Sequence, residues 1–225
     1  MIVLTTEELL AINGLLDGKE IQGVQLKPNG ATPEGRLQKI EQSMTKKELL
    51  INGQLSDKFM ETTELLKRYK ASKHKVFINN LRIGLIDEDY GVVLELRPTG
   101  EITVSYVLRI TIVKKYIESS EFLRGGQKAT FFDYDKNPCT IDEFEAELEC
   151  KEWSNMMLVQ TYTNHQLRIF KTYCFDDSEA YCYDHQDETK QQRGSQGFRK
   201  DLVEILKIET DDDDEGDEFD DDTYH

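Results

Sequence analysis

The residues able to do covalent or metal chemistry in this chain of 225 amino acids are few and scattered. Four histidines, His74, His165, His185 and His225, are the available bases, and none sits in a G-x-S-x-G or H-E-x-x-H pattern. A triad assembled across a fold stays open, but nothing local asks for one. Four cysteines, Cys139, Cys150, Cys174 and Cys182, stand 11, 24 and 8 positions apart without a C-x-x-C pair. Tetrahedral zinc draws its ligands from tight knuckles, so a site built from Cys174, Cys182 and His185, with His165 as a fourth ligand, is a weaker reading than four reduced thiols. Asp133, Asp135 and Asp142 gather near Cys139. Yet Asp133-Tyr134-Asp135-Lys136-Asn137-Pro138 lacks the glycine and closing glutamate of a calcium loop and reads as a solvated loop. Gly125-Gly126 precedes no phosphate-cradling pattern and more simply ends a helix. No catalytic residue, cofactor or metal is expected, and the chain is read as no enzyme.

The elements that would have to position such residues are better signalled. Thr5 and Glu8 form a capping box for an opening helix with Leu9, Ile12 and Leu16 on one face. Ile21 to Leu26 reads as an edge strand or extended linker. Thr32 caps and Pro33 starts a helix carrying Leu37, Ile40 and Met44, Asn52-Gly53 reverses the chain, and Ser56 caps a further helix with Phe59, Thr63, Leu66 and Tyr69 on one face. From His74 the period shortens. Lys75 to Ile86, Val92 to Leu96 and Ile102 to Val107 predict a three-stranded meander, with Asp87-Glu88-Asp89 and Pro98-Thr99-Gly100 as its breaks. Leu108 to Phe122 returns to helical spacing. The order then recurs: a helix capped by Thr140 and Glu143, strands at Met156–Tyr162, Leu167–Phe175 and Ala180–Tyr183, and a last helix from Phe198 to Ile208. The fold class is α+β, an antiparallel sheet with flanking helices in a pseudo-repeated order of helix, three strands, helix.

Charge divides the chain unevenly. The formal net charge is −16, yet residues 209–225 hold eleven acids and no Lys or Arg, leaving 33 acids against 28 bases elsewhere. The tail repels itself and has almost nothing apolar to bury, so residues 209–225 are expected to be a disordered acidic segment that aids solubility. Residues 1–208 are expected to form one body with subregions 1–126 and 127–208. Nucleic acid is an unpromising partner without clustered Lys and Arg, and a winged-helix, nucleic-acid-binding reading of residues 32–70 is the weaker alternative because Asp57, Lys58, Glu61, Glu64, Lys67 and Arg68 nearly cancel. No apolar run approaches the roughly 20 residues of a membrane span, and the N-terminus has no basic leader, so the chain is expected in the cytoplasm. The second meander is rich in aromatics, with Tyr162, Tyr173, Phe175, Tyr181 and Tyr183 near Trp153. Cross-strand packing is their default role.

Several of these features fall in a family order. Leu4-Thr5-Thr6-Glu7-Glu8-Leu9-Leu10, Gly30-Ala31-Thr32-Pro33-Glu34, the Leu49-Leu50, Gly53 and Leu55-Ser56-Asp57 connection, and His74-Lys75-Val76-Phe77-Ile78-Asn79 together resemble the N-terminal part of the EspG family. The resemblance spans residues 4 to about 124 and includes the short Gram-positive relatives of that family. It implies a cytosolic chaperone or adaptor of bacterial type VII secretion that holds a secreted effector or helical-hairpin protein for the secretion ATPase. The family's contact loop maps onto Leu81, Ile83, Leu85, Ile86, Asp87, Glu88, Asp89 and Tyr90, and its C-terminal contacts onto Phe198 and Leu202. Tyr183 and Asp187 have the spacing of a type VII export signal, but Trp153 is followed by Ser154-Asn155 and makes no W-x-G turn, so the chain resembles a handler more than cargo. An immunity protein that neutralises a secreted toxin is the main rival reading.

Overall fold

The computed structural model describes residues 1–25, 33–126 and 130–209. A short strand β1 (Ile2–Leu4) leads into α1 (Thr6–Leu16). The expected capping box is formed: Glu8 N–H donates to the Thr5 hydroxyl at 3.2 Å and Thr5 N–H donates to the Glu8 carboxylate at 2.7 Å. Ile21 and Val24 are buried, but Val24 N–H closes a turn on Ile21 C=O at 3.0 Å, so residues 21–25 form a turn where an edge strand or extended linker was expected, and Leu26 lies outside the described residues. Helix α2 (Pro33–Lys46) follows, and its expected cap, Thr32, lies outside the described residues. The small hairpin β2 (Leu50–Ile51) and β3 (Gln54–Leu55) turns at Asn52 and Gly53, whose φ angles of 52° and 76° are the left-handed values that Asn-Gly tolerates. Helix α3 (Asp57–Ala71) starts at the Ser56 cap. Its buried face is Phe59, Thr62, Leu66 and Tyr69, so Thr62 takes the place expected for Thr63.

The first meander has four strands: β4 (His74–Ile78), β5 (Leu81–Leu85), β6 (Tyr90–Leu96) and β7 (Ile102–Leu108). Two helices close it, α4 (Arg109–Glu118) and α5 (Glu121–Arg124), and Gly125 in the left-handed region ends the second. The second half opens with β8 (Asn137–Pro138) and α6 (Ile141–Cys150), where Thr140 and Glu143 complete another capping box. It continues through β9 (Asn155–Thr163), β10 (Gln166–Phe175), β11 (Ala180–Asp184), β12 (Thr189–Arg193) and α7 (Ser195–Ile205). The expectation of three strands per half is corrected to four. Lys75–Ile86 is a hairpin folded at Asn79-Asn80, which carries neither Gly nor Pro, and the polar Thr189–Arg193 shows no apolar alternation.

All but the β2–β3 hairpin join a single antiparallel sheet in the order β1-β7-β6-β5-β4-β9-β10-β11-β12-β8. The two meanders meet where β4 pairs with β9, from His74 opposite Thr163 to Ile78 opposite Val159. Reading outward from that seam, each half runs through its strands in chain order and ends on the short strand that precedes its first helix. The repeat is therefore one of spatial arrangement as well as element order.

Alternation along the strands sorts the core into faces. On one face Val76, Ile83, Met157, Val159, Tyr173 and Phe175 pack under α4, α5 and α7. On the other, α1, α2 and α3 cover Val92, Leu94, Ile102 and Val104, and α6 lays Phe144 against Tyr183 with ring centroids 4.3 Å apart. Cys174 belongs to the α6 side and Cys182 to the α7 side, so these two sulfurs cannot share an ion. Helix α3 lies on this sheet with strands continuing into β9, a context unlike the short wing of a winged helix. Among the described residues no helix is long and apolar enough to cross a membrane.

Candidate functional site

The expected contact loop proves to be strand β5 followed by a compact acidic turn into β6. Asp87 builds that turn: its carboxylate accepts from Asp89 N–H at 3.1 Å and Tyr90 N–H at 2.7 Å, while its second oxygen accepts from the Tyr106 hydroxyl at 3.1 Å. The Tyr90 N–H bond first, then those from Asp89 and Tyr106, hold the Asp87 carboxyl below the usual carboxylate range. The Tyr106 hydroxyl moves the opposite way, raised by partial desolvation and by the Asp87 charge. Tyr90 and Tyr106 stack nearly parallel, 4.8 Å between centroids. Leu108 pairs with Tyr90 across the ladder and extends the same surface.

The turn is also anchored from behind. Arg109 N–H donates to Asp89 C=O at 2.8 Å, and the buried Arg109 guanidinium donates to the carbonyls of Leu206 and Lys207 at 2.8 and 2.9 Å. The acidic turn, the start of α4 and the end of α7 are thus one connected unit. Those guanidinium bonds satisfy carbonyls that the end of α7 would otherwise leave orphaned.

Burial divides the expected contact residues sharply. Asp87, Glu88 and Asp89 are exposed, and Leu85, Ile86 and Tyr90 are half-buried. Leu81 and Ile83 of β5 and Phe198 and Leu202 of α7 are buried in the core between the sheet and α4, α5 and α7, and these four are corrected from contact to core residues. Phe198 sits edge-on to Tyr173 and Phe175, which is why its helical spacing looked apolar on one side. Two residues absent from the expectation complete the surface, Tyr106 and Leu108, exposed by 39% and 38%, and Ile110 in the first turn of α4 is exposed by 37%. Their signal was present in the sequence as an apolar alternation that runs on past β7 into α4.

Other candidates resolve into structure. Tyr173, Phe175 and Tyr183 are core, and Tyr162 packs on Phe77 with centroids 4.8 Å apart, in line with cross-strand packing. Burial pushes the Cys174 and Cys182 thiols up to about 11, which leaves them protonated and poor nucleophiles at neutral pH. Asp133 accepts from Gly194 N–H at 2.7 Å and pairs with Arg193, which also pairs with Asp201 of α7. The acids near Cys139 therefore include a clamp on the start of α7. Among the described residues, no group of three His, Cys, Asp or Glu side chains converges as metal ligands would.

The family described as domain of unknown function DUF5081 matches residues 2–213. The chain belongs to the DUF5081 family. No curated protein matches its sequence. Among solved structures, this DUF5081 chain is similar to the Mycobacterium tuberculosis type VII secretion system chaperone EspG5, seen in complex with the PE25-PPE41 dimer. The two share 12% identity with a TM-score of 0.57, over 93% of this chain and 96% of that one. At this identity the likeness is one of fold. The EspG-like architecture expected from residues 4 to 124 extends through the second half of the DUF5081 chain as well.

Proposed function

We propose that this protein is a cytosolic chaperone or adaptor of a bacterial type VII secretion system, holding a secreted effector or helical-hairpin partner soluble for delivery to the secretion ATPase. The observation that carries this reading is the Tyr90, Tyr106 and Leu108 surface beside three exposed acids, on a fold shared with a chaperone of that system. Aromatic and aliphatic side chains held rigid by a ladder lose little entropy on binding and can bury the apolar end of a helical hairpin. Burial contributes about 25 cal/mol per Å² of apolar area, while Asp87, Glu88 and Asp89 at the margin select and steer a partner with basic residues near its apolar tip. The reading is non-catalytic, and what supports it is the exposed Tyr90–Tyr106 surface on a fold shared with a chaperone.

The test is titration calorimetry with purified secreted helical-hairpin candidates from the same organism. Tyr106→Ala and Leu108→Ala are each expected to weaken binding about tenfold, equivalent to about 1.4 kcal/mol, with the circular dichroism spectrum preserved. Binding to a toxin's catalytic domain with loss of its activity would replace the chaperone reading with an immunity function. Equal affinity of both variants and the native chain would move the interface away from this surface.

A further inference from the structure

Arg109 joins the acidic turn to the place where the C-terminal segment leaves the body. Its N–H donates to Asp89 C=O at 2.8 Å, and its guanidinium donates to the carbonyls of Leu206 and Lys207 at 2.8 and 2.9 Å. Ile208 N–H then closes the end of α7 on Val203 C=O at 3.0 Å, and the Ile208 side chain packs against the core. The exit of residues 209–225 is therefore fixed beside Asp87, Glu88 and Asp89. Alternation along β6 and β7 puts Tyr90, Tyr106 and Leu108 on the face of Val92 and Val104, whereas α7 covers the other face. The turn stands at the rim between the exposed aromatic surface and that exit.

Taking the chaperone reading of that surface as the premise, we propose that residues 209–222 and the acidic turn act together as a polyanionic capture arm for its partner, which carries a lysine- or arginine-rich stretch next to its apolar binding residues. Charge specifies this occupant. Residues 209–225 hold eleven acids and no Lys or Arg, and the turn adds three exposed ones. The cations that the structure places nearby are Lys73, Lys207 beside His74, the buried Arg109, and Arg68, which pairs with Glu64. They fall well short of offsetting those acids. Like charges keep the tail and the turn from neutralising each other, and the depressed Asp87 carboxyl keeps the turn charged into the acidic range. Ten residues beyond Glu209 reach at most about 33 Å, several times the screening length of about 8 Å at physiological salt. A basic segment thus meets the arm's field before it meets the aromatic surface. Such steering raises the association rate, while the lifetime of the complex is set by the apolar contacts.

The test is stopped-flow fluorescence anisotropy on the full-length protein, with a labelled synthetic peptide of a few leucine-rich helical turns followed by a run of lysines. A twin ending in glutamates is the control. The lysine peptide is expected to associate about tenfold faster than its twin at about 20 mM salt, and the difference should nearly vanish at about 0.5 M, where the screening length is about 4 Å. Changing the aspartates at 211–214 and 220–222 together to asparagine should slow association about fivefold at low salt and leave the dissociation rate unchanged. Tyr106→Ala should do the reverse, raising the dissociation rate about tenfold at a constant association rate. The salt series with the two peptides on the native chain decides the matter should either variant not fold. A twin that associates as fast as the lysine peptide, or an association rate indifferent to the aspartate changes, would overturn the capture arm and leave the aromatic surface standing. A dissociation rate indifferent to Tyr106→Ala would remove the surface itself, and with it the chaperone reading that the arm requires.

Discussion

At the scale of single residues, Asp87 carries the most weight in the acidic turn. Its carboxylate serves two backbone N–H groups and the Tyr106 hydroxyl, and each of these bonds is stronger to the ionised form. Its folded-state pKa is depressed, so its contribution to stability is present above the unfolded value of about 3.9 and is lost as pH falls through the lower folded value. Asp87→Asn keeps a side-chain carbonyl in the turn and discards the charge. The melting temperature of the native chain should therefore exceed that of the variant at pH 6, and the gap should close as the pH is brought to about 3. A gap that does not change with pH would mean that the charge plays no part in the turn.

At the scale of elements, what the sequence made legible was local chemistry. Thr5 with Glu8, Thr140 with Glu143, Ser56, and Asn52-Gly53 each act within four residues, and all four appear where they were expected. The Asn79-Asn80 hairpin escaped because its reversal depends on a long-range contact. The Asn79 side chain exchanges hydrogen bonds with β9, accepting from Leu158 N–H at 2.8 Å and donating to Met156 C=O at 3.0 Å. Exposure was equally illegible, since Phe198 and Tyr106 both sit in regular apolar patterns and only the packing of other elements decides which is covered. The turn after α1 shows the same dependence. Gly23 has φ of 80°, and a Cβ there would lie 2.5 Å from Phe77 Cζ and 2.7 Å from Arg82 Cδ. Gly23→Ala should destabilise the protein by about 1–3 kcal/mol through overpacking and backbone strain, measurable by urea denaturation. A change below a few tenths of a kcal/mol would show that this turn can lift off the sheet freely.

At the scale of the whole molecule, the seam between β4 and β9 makes the halves mutually dependent. Val76 and Ile83 of the first half share a core with Met157, Val159 and Phe198 of the second, and Arg109 bonds the start of α4 to the end of α7. Separately expressed fragments 1–126 and 127–225 would each expose that core and one unpaired central strand. Neither should unfold cooperatively, while the intact chain should melt in one transition with coincident near- and far-ultraviolet circular dichroism. A fragment with a sharp transition of its own would make the halves independent domains. The outer strands have a different consequence. A ten-stranded ladder is an invitation to lateral growth, yet it finishes at a three-residue strand on one flank and, on the other, at a two-residue strand whose Pro138 has no N–H to offer. Another polypeptide finds little rail there on which to add itself as a further strand, so recognition is left to side chains, and concentrated solutions of this protein should resist fibril formation.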